Sequence, residues 1–205
     1  MEIAKHEDIE AIGKLILEGF SEDPKMEYQL RNLERKQFIL KIIAESQVRV
    51  FLEKAEVYTV DNCTGAMLGY NSKNVDFNRF IEMLTTMNNE LLEILTEQEM
   101  KTLISTSQVL SKVDNLIWLN EISEEYYHLM TIVIDKQFRG QGIFRKLISP
   151  LLKECDEKKI PIALETHNKE NLDIYKHFGF EIVKEFSDEK LDFKQYCMIR
   201  KPNLK

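Results

Sequence analysis

Ile132-Val133-Ile134-Asp135-Lys136-Gln137-Phe138-Arg139-Gly140-Gln141-Gly142-Ile143-Phe144-Arg145 reads as an apolar strand that turns through two glycines into an amphipathic helix. A helix start leaves several backbone N–H groups without intrahelical partners and carries about half a positive charge, so it can hold an anion such as a phosphate. Glycines at 140 and 142 let the backbone approach that anion closely and take positive φ where needed. Arg139 and Arg145 would add charge-assisted contacts. Two glycines separated by one residue also occur in plain chain reversals, so the motif alone leaves both readings open. Other phosphate motifs do not fit. A Walker loop needs Gly-Lys-Ser/Thr where this chain has Gly142-Ile143-Phe144, and a dinucleotide fingerprint needs a third glycine and a downstream acid.

Working outward, residues 127–134 form a nearly continuous apolar run, as expected of a central strand covered on both faces. On the other side Ile143, Leu147, Ile148, Leu151, Leu152 and Cys155 mark one face of a helix of about four turns. Pro150 falls inside it and predicts a kink or an early end, because an interior proline costs roughly 3 kcal/mol. A short strand at 161–166 leads into a short helix with an asparagine cap and a stop at Gly179, and two strands near 180–186 and 191–200 close the chain. Toward the N-terminus, residues 7–21 have helical spacing up to Asp23-Pro24, and a second helix is predicted over 28–44. Residues 56–60 and 66–70 flank Asp61-Asn62-Cys63-Thr64-Gly65 and predict an antiparallel hairpin. Residues 75–112, without Pro or Gly, predict two or three helices. This order of elements describes an α/β (α+β) protein with a mixed sheet and helices packed on it.

The chain has 205 residues with 43% hydrophobic content, no repeat and no Pro/Gly-rich linker, so a single domain over 1–205 is expected. Its 28 Lys and Arg against 35 Asp and Glu give a net charge of −7, which argues against general binding to nucleic acid or an anionic membrane. An anionic ligand must therefore meet a local positive site, which the 139–145 turn would supply. Cys63, Cys155 and Cys197 lack disulfide or zinc spacing, His6, His167 and His177 lack metal-ligand spacing, and no metal is expected. No apolar signal core or membrane-length run is seen, and a cytoplasmic protein is expected.

Gln137-x-x-Gly140-x-Gly142, set between an apolar strand and a helix, resembles the acetyl-CoA motif of the GNAT superfamily of N-acetyltransferases. The downstream Leu164-Glu165-Thr166-His167-Asn168-x-x-Asn171-x-x-x-Tyr175-x-x-x-Gly179-Phe180-Glu181 resembles its second signature. The resemblance covers residues 127–186 firmly and 1–71 loosely, through Glu7-Asp8-Ile9 and Phe20-Ser21-Glu22-Asp23-Pro24. It departs from the pattern at Phe144, a place that often carries Gly or Ala. The resemblance implies a mostly antiparallel central sheet flanked by helices. Residues 75–118 would then be a helical insertion before the central strand, acting as a lid, as extra core or as an oligomer surface.

The resemblance also implies direct attack of a primary amine, on a small molecule or peptide, upon the acetyl thioester of acetyl-CoA. The co-substrate would lie against Ile132, Val133, Ile134, Arg139, Gly140, Gln141, Gly142, Ile143, Phe144, Arg145 and Asn171. Tyr175 would sit near the sulfur. A phenol of pKa ~10 can donate to a departing thiolate, so Tyr175 is the candidate general acid, with a core aromatic as the alternative. An amine of pKa ~10.4 must lose a proton before it attacks. His128, at the place where histone-acetylating members carry a glutamate, is one candidate base, unless it is only hydrogen-bonded in the sheet. Glu165 is the other, as a base or as an amine-binding carboxylate. A non-catalytic acyl-CoA-binding module that contacts a protein through 75–118, or a relic of the fold that binds no CoA, are the rival readings. The acceptor, and whether the chain forms a homodimer, stay open.

Overall fold

The computed structural model describes residues 1–122 and 125–203. Seven strands form one sheet in the order β1-β2-β3-β4-β5-β7-β6: β1 Glu2–Ile3, β2 Glu56–Val60, β3 Gly65–Asn71, β4 Tyr127–Ile134, β5 Ile162–Thr166, β6 Glu181–Phe186 and β7 Gln195–Arg200. Every pairing is antiparallel except β4 with β5. The expected mixed, mostly antiparallel sheet is therefore what forms. The edge strand β1, pairing with β2, is an addition to the expectation.

The helices are α1 Ile9–Phe20, α2 Pro24–Gln29, α3 Lys36–Lys54, α4 Phe77–Leu92, α5 Glu97–Leu110, α6 Ile143–Lys158 and α7 Asn171–His177. The helix predicted over 28–44 is a correction. Tyr28 belongs to α2, the chain turns through residues 30–35, and α3 runs ten residues past Ala44. Its buried residues, including Ala44, Ser46, Val48, Val50 and Phe51, follow no single stripe. A helix covered on several sides loses the one-faced periodicity by which sequence reading recognises it.

The two sides of the sheet carry separate cores. On one, Ile12, Ile16, Val48, Phe51 and Phe80 from α1, α3 and α4 pack on Ala66, Leu68, Tyr70 and Val133. On the other, Leu147, Ile148 and Leu151 of α6 pack with Met67, Leu129, Leu164 and Met198. That packing explains why α6 continues through Pro150 to Lys158, so that of the two expected outcomes, a kink or an early end, the early end does not occur. Pro150 sits on the exposed side, where the Lys146 carbonyl it leaves unpaired can be hydrated. Burying Leu147, Ile148 and Leu151 contributes about 1.5–3 kcal/mol each, more than the roughly 3 kcal/mol that the proline costs.

Helices α4 and α5 connect β3 to β4. Helix α5 packs through Leu103 against Leu30, Leu33, Ile39 and Leu40, and Arg35 donates to Glu99 at 2.9 and 2.6 Å. The segment thus contributes buried core. Among the described residues no helix is long and apolar enough to cross a membrane.

Candidate active site

The site is built on a fork between two parallel strands. β4 and β5 pair only at Tyr127–Ile162 and His128–Ala163, although β4 continues to Ile134 and β5 to Thr166. The cause lies on the other edge of β4. There Gly69 pairs with Leu129 and Leu68 with Thr131, so Met130 is an extra residue, a bulge that bends its strand. The bulge also shifts the alternation of side chains. Leu129 faces the α6 core before it, and Ile132 and Ile134 face that same core after it, while Val133 turns to α1. Gly69 is required there, because a Cβ would stand 2.7 Å from the His128 carbonyl and 2.5 Å from the Tyr127 ring.

Beyond Ile134, Asp135 caps a short 3-10 turn by accepting from the Gln137 N–H at 2.8 Å. Gly140 (φ 75°) and Gly142 (φ 81°) then reverse the chain into α6. A Cβ on either glycine would meet no atom within 4 Å, and no side chain caps the helix start. The turn is a backbone cradle that opens on empty space, with its amides at the positive end of a four-turn helix. These features fit a CoA pyrophosphate.

The cradle forms one end of a cleft of about 880 Å³. Ile132, Val133 and Ile134 line it from β4. Arg139, Gly140, Gly142, Ile143, Phe144 and Arg145 line it from the turn and α6, and Asn171 and Tyr175 from α7. Gln141 does not; it is exposed and donates its side-chain N–H to the Gln137 carbonyl at 3.0 Å. Arg145 is held over the Phe178 ring, with Nη2 3.1 Å from His177 Nε2. Phe144, the departure from the family pattern, does not crowd the helix start. Ile143 packs against Gly65 there, while the Phe144 ring lies 6.2 Å from Tyr175 and 5.1 Å from Phe178. Tyr175 is buried, and burial, reinforced by the nearby Asp23 charge, raises its phenol well above the ordinary value. It is a protonated donor throughout the neutral range.

His128 and Glu165 are brought together, but outside that lining. His128 is fully buried, with Nε2 2.8 Å from Glu165 Oε2, and its ring stands edge-on to Tyr70 and Phe80. Trp118 Nε1 donates to the other Glu165 oxygen, Oε1, at 2.6 Å. His128 Nδ1 has no hydrogen-bond partner.

Three residues in this region, Asp23, Asp114 and His167, were not among the expected site residues. Asp23, visible in the sequence only as a helix boundary, lines the cleft and accepts from the Lys25 and Met26 amides at 3.0 and 3.2 Å. Burial, with help from the Asp114 charge, raises its carboxyl despite those amides. Asp114 is itself pulled below the ordinary range: burial alone would raise it, but Lys25, at 2.7 Å, prevails. His167 follows β5 and is pushed down to about 3 by burial and the Lys25 charge, so it is neutral at physiological pH. Only the N-cap role of Asp23 had a local signal, the Asp-Pro pair. Among the described residues no group of three or more His, Cys, Asp or Glu is placed to hold a metal ion.

The forked parallel pair, the glycine cradle at a helix start and the tyrosine on the following helix meet at one cleft, and the family match gives the class, an acetyltransferase. Residues 66–198 match the acetyltransferase (GNAT) domain family, and the chain belongs to that family. A curated relative, an uncharacterized N-acetyltransferase of Schizosaccharomyces pombe, is 37% identical over 62 residues, which is 30% of this chain and 25% of the relative. The match thus spans a quarter of that relative's length. Solved structures share the fold. A Corynebacterium glutamicum protein described as histone acetyltransferase HPA2 and related acetyltransferase has a TM-score of 0.65 at 13% identity, covering 99% of this chain and 96% of its own. An N-acetyltransferase from Staphylococcus aureus reaches 0.58 at 20% identity, covering 97% and 98%. Arylalkylamine N-acetyltransferase 2 from Aedes aegypti reaches 0.58 at 17% identity, covering 98% of each chain.

Proposed function

We propose that the protein transfers the acetyl group of acetyl-CoA to a primary amine of a small molecule or peptide by direct attack, as one domain with residues 75–118 inserted, in the cytoplasm. The observation that carries this reading is the single cleft that joins the glycine cradle, the open edge of β4 and Tyr175. The cradle amides and Arg139 and Arg145 bind the pyrophosphate. The unpaired edge of β4 around Ile132 and Ile134, with Asn171, holds the pantetheine arm. The amine lone pair attacks the carbonyl carbon, the C–S bond breaks, and the thiolate takes the Tyr175 proton. His128 Nδ1, backed by Glu165 and lying behind the cleft lining, receives the amine proton through water.

One observation favours a second reading of the base. Asp23 lines the cleft, and His128 does not. A carboxyl whose affinity for protons is raised by burial can serve the amine there as base or counter-ion. Asp23→Asn and His128→Gln separate the two: the variant that loses kcat while keeping the KM for acetyl-CoA identifies the base.

The activity is tested by thiol release from acetyl-CoA over a panel of amines. Tyr175→Phe should lower kcat by about 10²-fold with little change in acetyl-CoA affinity. Full turnover in that variant would remove Tyr175 from the chemistry. Calorimetry with Gly140→Asp tests the cradle, since a carboxylate placed there should abolish CoA binding. Tight CoA binding without turnover on any amine would leave an acyl-CoA-binding module instead.

A further inference from the structure

We propose that Trp118, carried by the chain between α5 and β4, is a positioning residue for the proton-accepting step. Its indole N–H orients Glu165, and Glu165 holds His128 in the tautomer that leaves a lone pair on Nδ1. The inference rests on the reading of His128 as the base. An indole nitrogen only donates, so Glu165 Oε1 accepts from Trp118 at 2.6 Å. The second oxygen, Oε2, lies 2.8 Å from His128 Nε2. A carboxylate is an acceptor at both oxygens, and with its charge retained the proton of the second contact is on Nε2. Nδ1 then carries the lone pair, and it is the nitrogen with no hydrogen-bond partner.

Burial gives this arrangement its force. The His128 side chain is 0% exposed and that of Glu165 10%, so a lost donor would not be replaced by bulk water. The other titratable groups about the pair are the phenols of Tyr70 and Tyr126 and the thiol of Cys197. Burial raises all three, the thiol to about 12, so they stay neutral and do not compete for the amine proton. Phe80, from α4, meets the imidazole edge-on at 5.5 Å. The connection between β3 and β4 therefore grips the base twice, directly through Phe80 and through Glu165 by way of Trp118.

The ¹⁵N resonances of the His128 ring in the labelled wild-type protein test the tautomer without any substitution. A protonated Nε2 and an unprotonated Nδ1 are expected, and the reverse pattern overturns the proposal. Trp118→Phe should lower kcat about tenfold, the order of one hydrogen bond, with the KM for acetyl-CoA unchanged, and the Nε2–H tautomer should lose its dominance. In a Glu165→Gln background the same substitution should add no further loss, because Trp118 acts through Glu165; an additive loss identifies a merely structural role and overturns the inference. His128→Gln separates the two levels. Full turnover in His128→Gln removes the base and this inference with it, whereas loss there with full kcat in Trp118→Phe removes the inference alone.

Discussion

Gly140 and Phe144 show how single positions set the cleft. A methyl group at 140 would touch no atom, yet φ of 75° is a conformation that costs an L-residue about 1–2 kcal/mol. Gly140→Ala should therefore lower stability by about that amount and weaken CoA binding. Urea titration and calorimetry measure the two effects separately. Phe144, where the family often has a small residue, shares its ring contacts between Tyr175 and Phe178. Phe144→Ala should loosen Tyr175 and lower kcat several-fold while leaving the cradle able to bind CoA, which steady-state kinetics beside calorimetry would show. The cradle was legible from residues 132–145 alone, because a glycine turn between a strand and a helix is a local feature. The surroundings of Phe144 were not, since its partners come from α7 and the residue that follows it, further along the chain.

At the level of elements, α6 and the β3–β4 pair carry the site, and each contains a local irregularity. Pro150 leaves one backbone carbonyl unpaired on the exposed side of α6. Pro150→Ala should raise stability by about 1–3 kcal/mol in chemical denaturation, without moving the cleft. Gly69 behaves in the opposite way. A methyl group there would collide with the His128 carbonyl, so Gly69→Ala should both destabilise the protein and disturb the fork at its root, read as a lower urea midpoint and lower turnover. Strand and helix order from β2 onward followed from hydrophobic periodicity. α3 did not, because burial on several sides erased its stripe, and α6 does not end early at Pro150 because packing outweighs the proline. The bulge at Met130 had no sequence signal, being a property of how β4 pairs with β3.

Across the whole molecule, the cleft is lined by residues from the 19–24 stretch near the start of the chain and by residues from β4 to Phe178 far along it. His167, just after β5, Lys25 of α2 and Asp114, in the turn that follows α5, meet in one charged group. His167 has a folded value of about 3 against an ordinary 6.5. Between these values the unfolded chain binds a proton that the folded one refuses. The stability tied to neutral His167 is thus complete above pH 6.5 and is lost as pH falls toward 3. His167→Gln should narrow the gap between urea midpoints measured at pH 7 and pH 4, and an unchanged gap would contradict this assignment. Read by itself, the sequence determined the order of elements from β2 onward, the glycine turn between β4 and α6 and the family likeness, all of which depend on residues close together along the chain. Only the tertiary structure decided that His128 pairs with Glu165 and Trp118 behind the fork while Asp23 reaches the cleft. Those placements depend on strand pairing, a bulge and the burial of side chains far apart in sequence, which no local pattern of residues encodes.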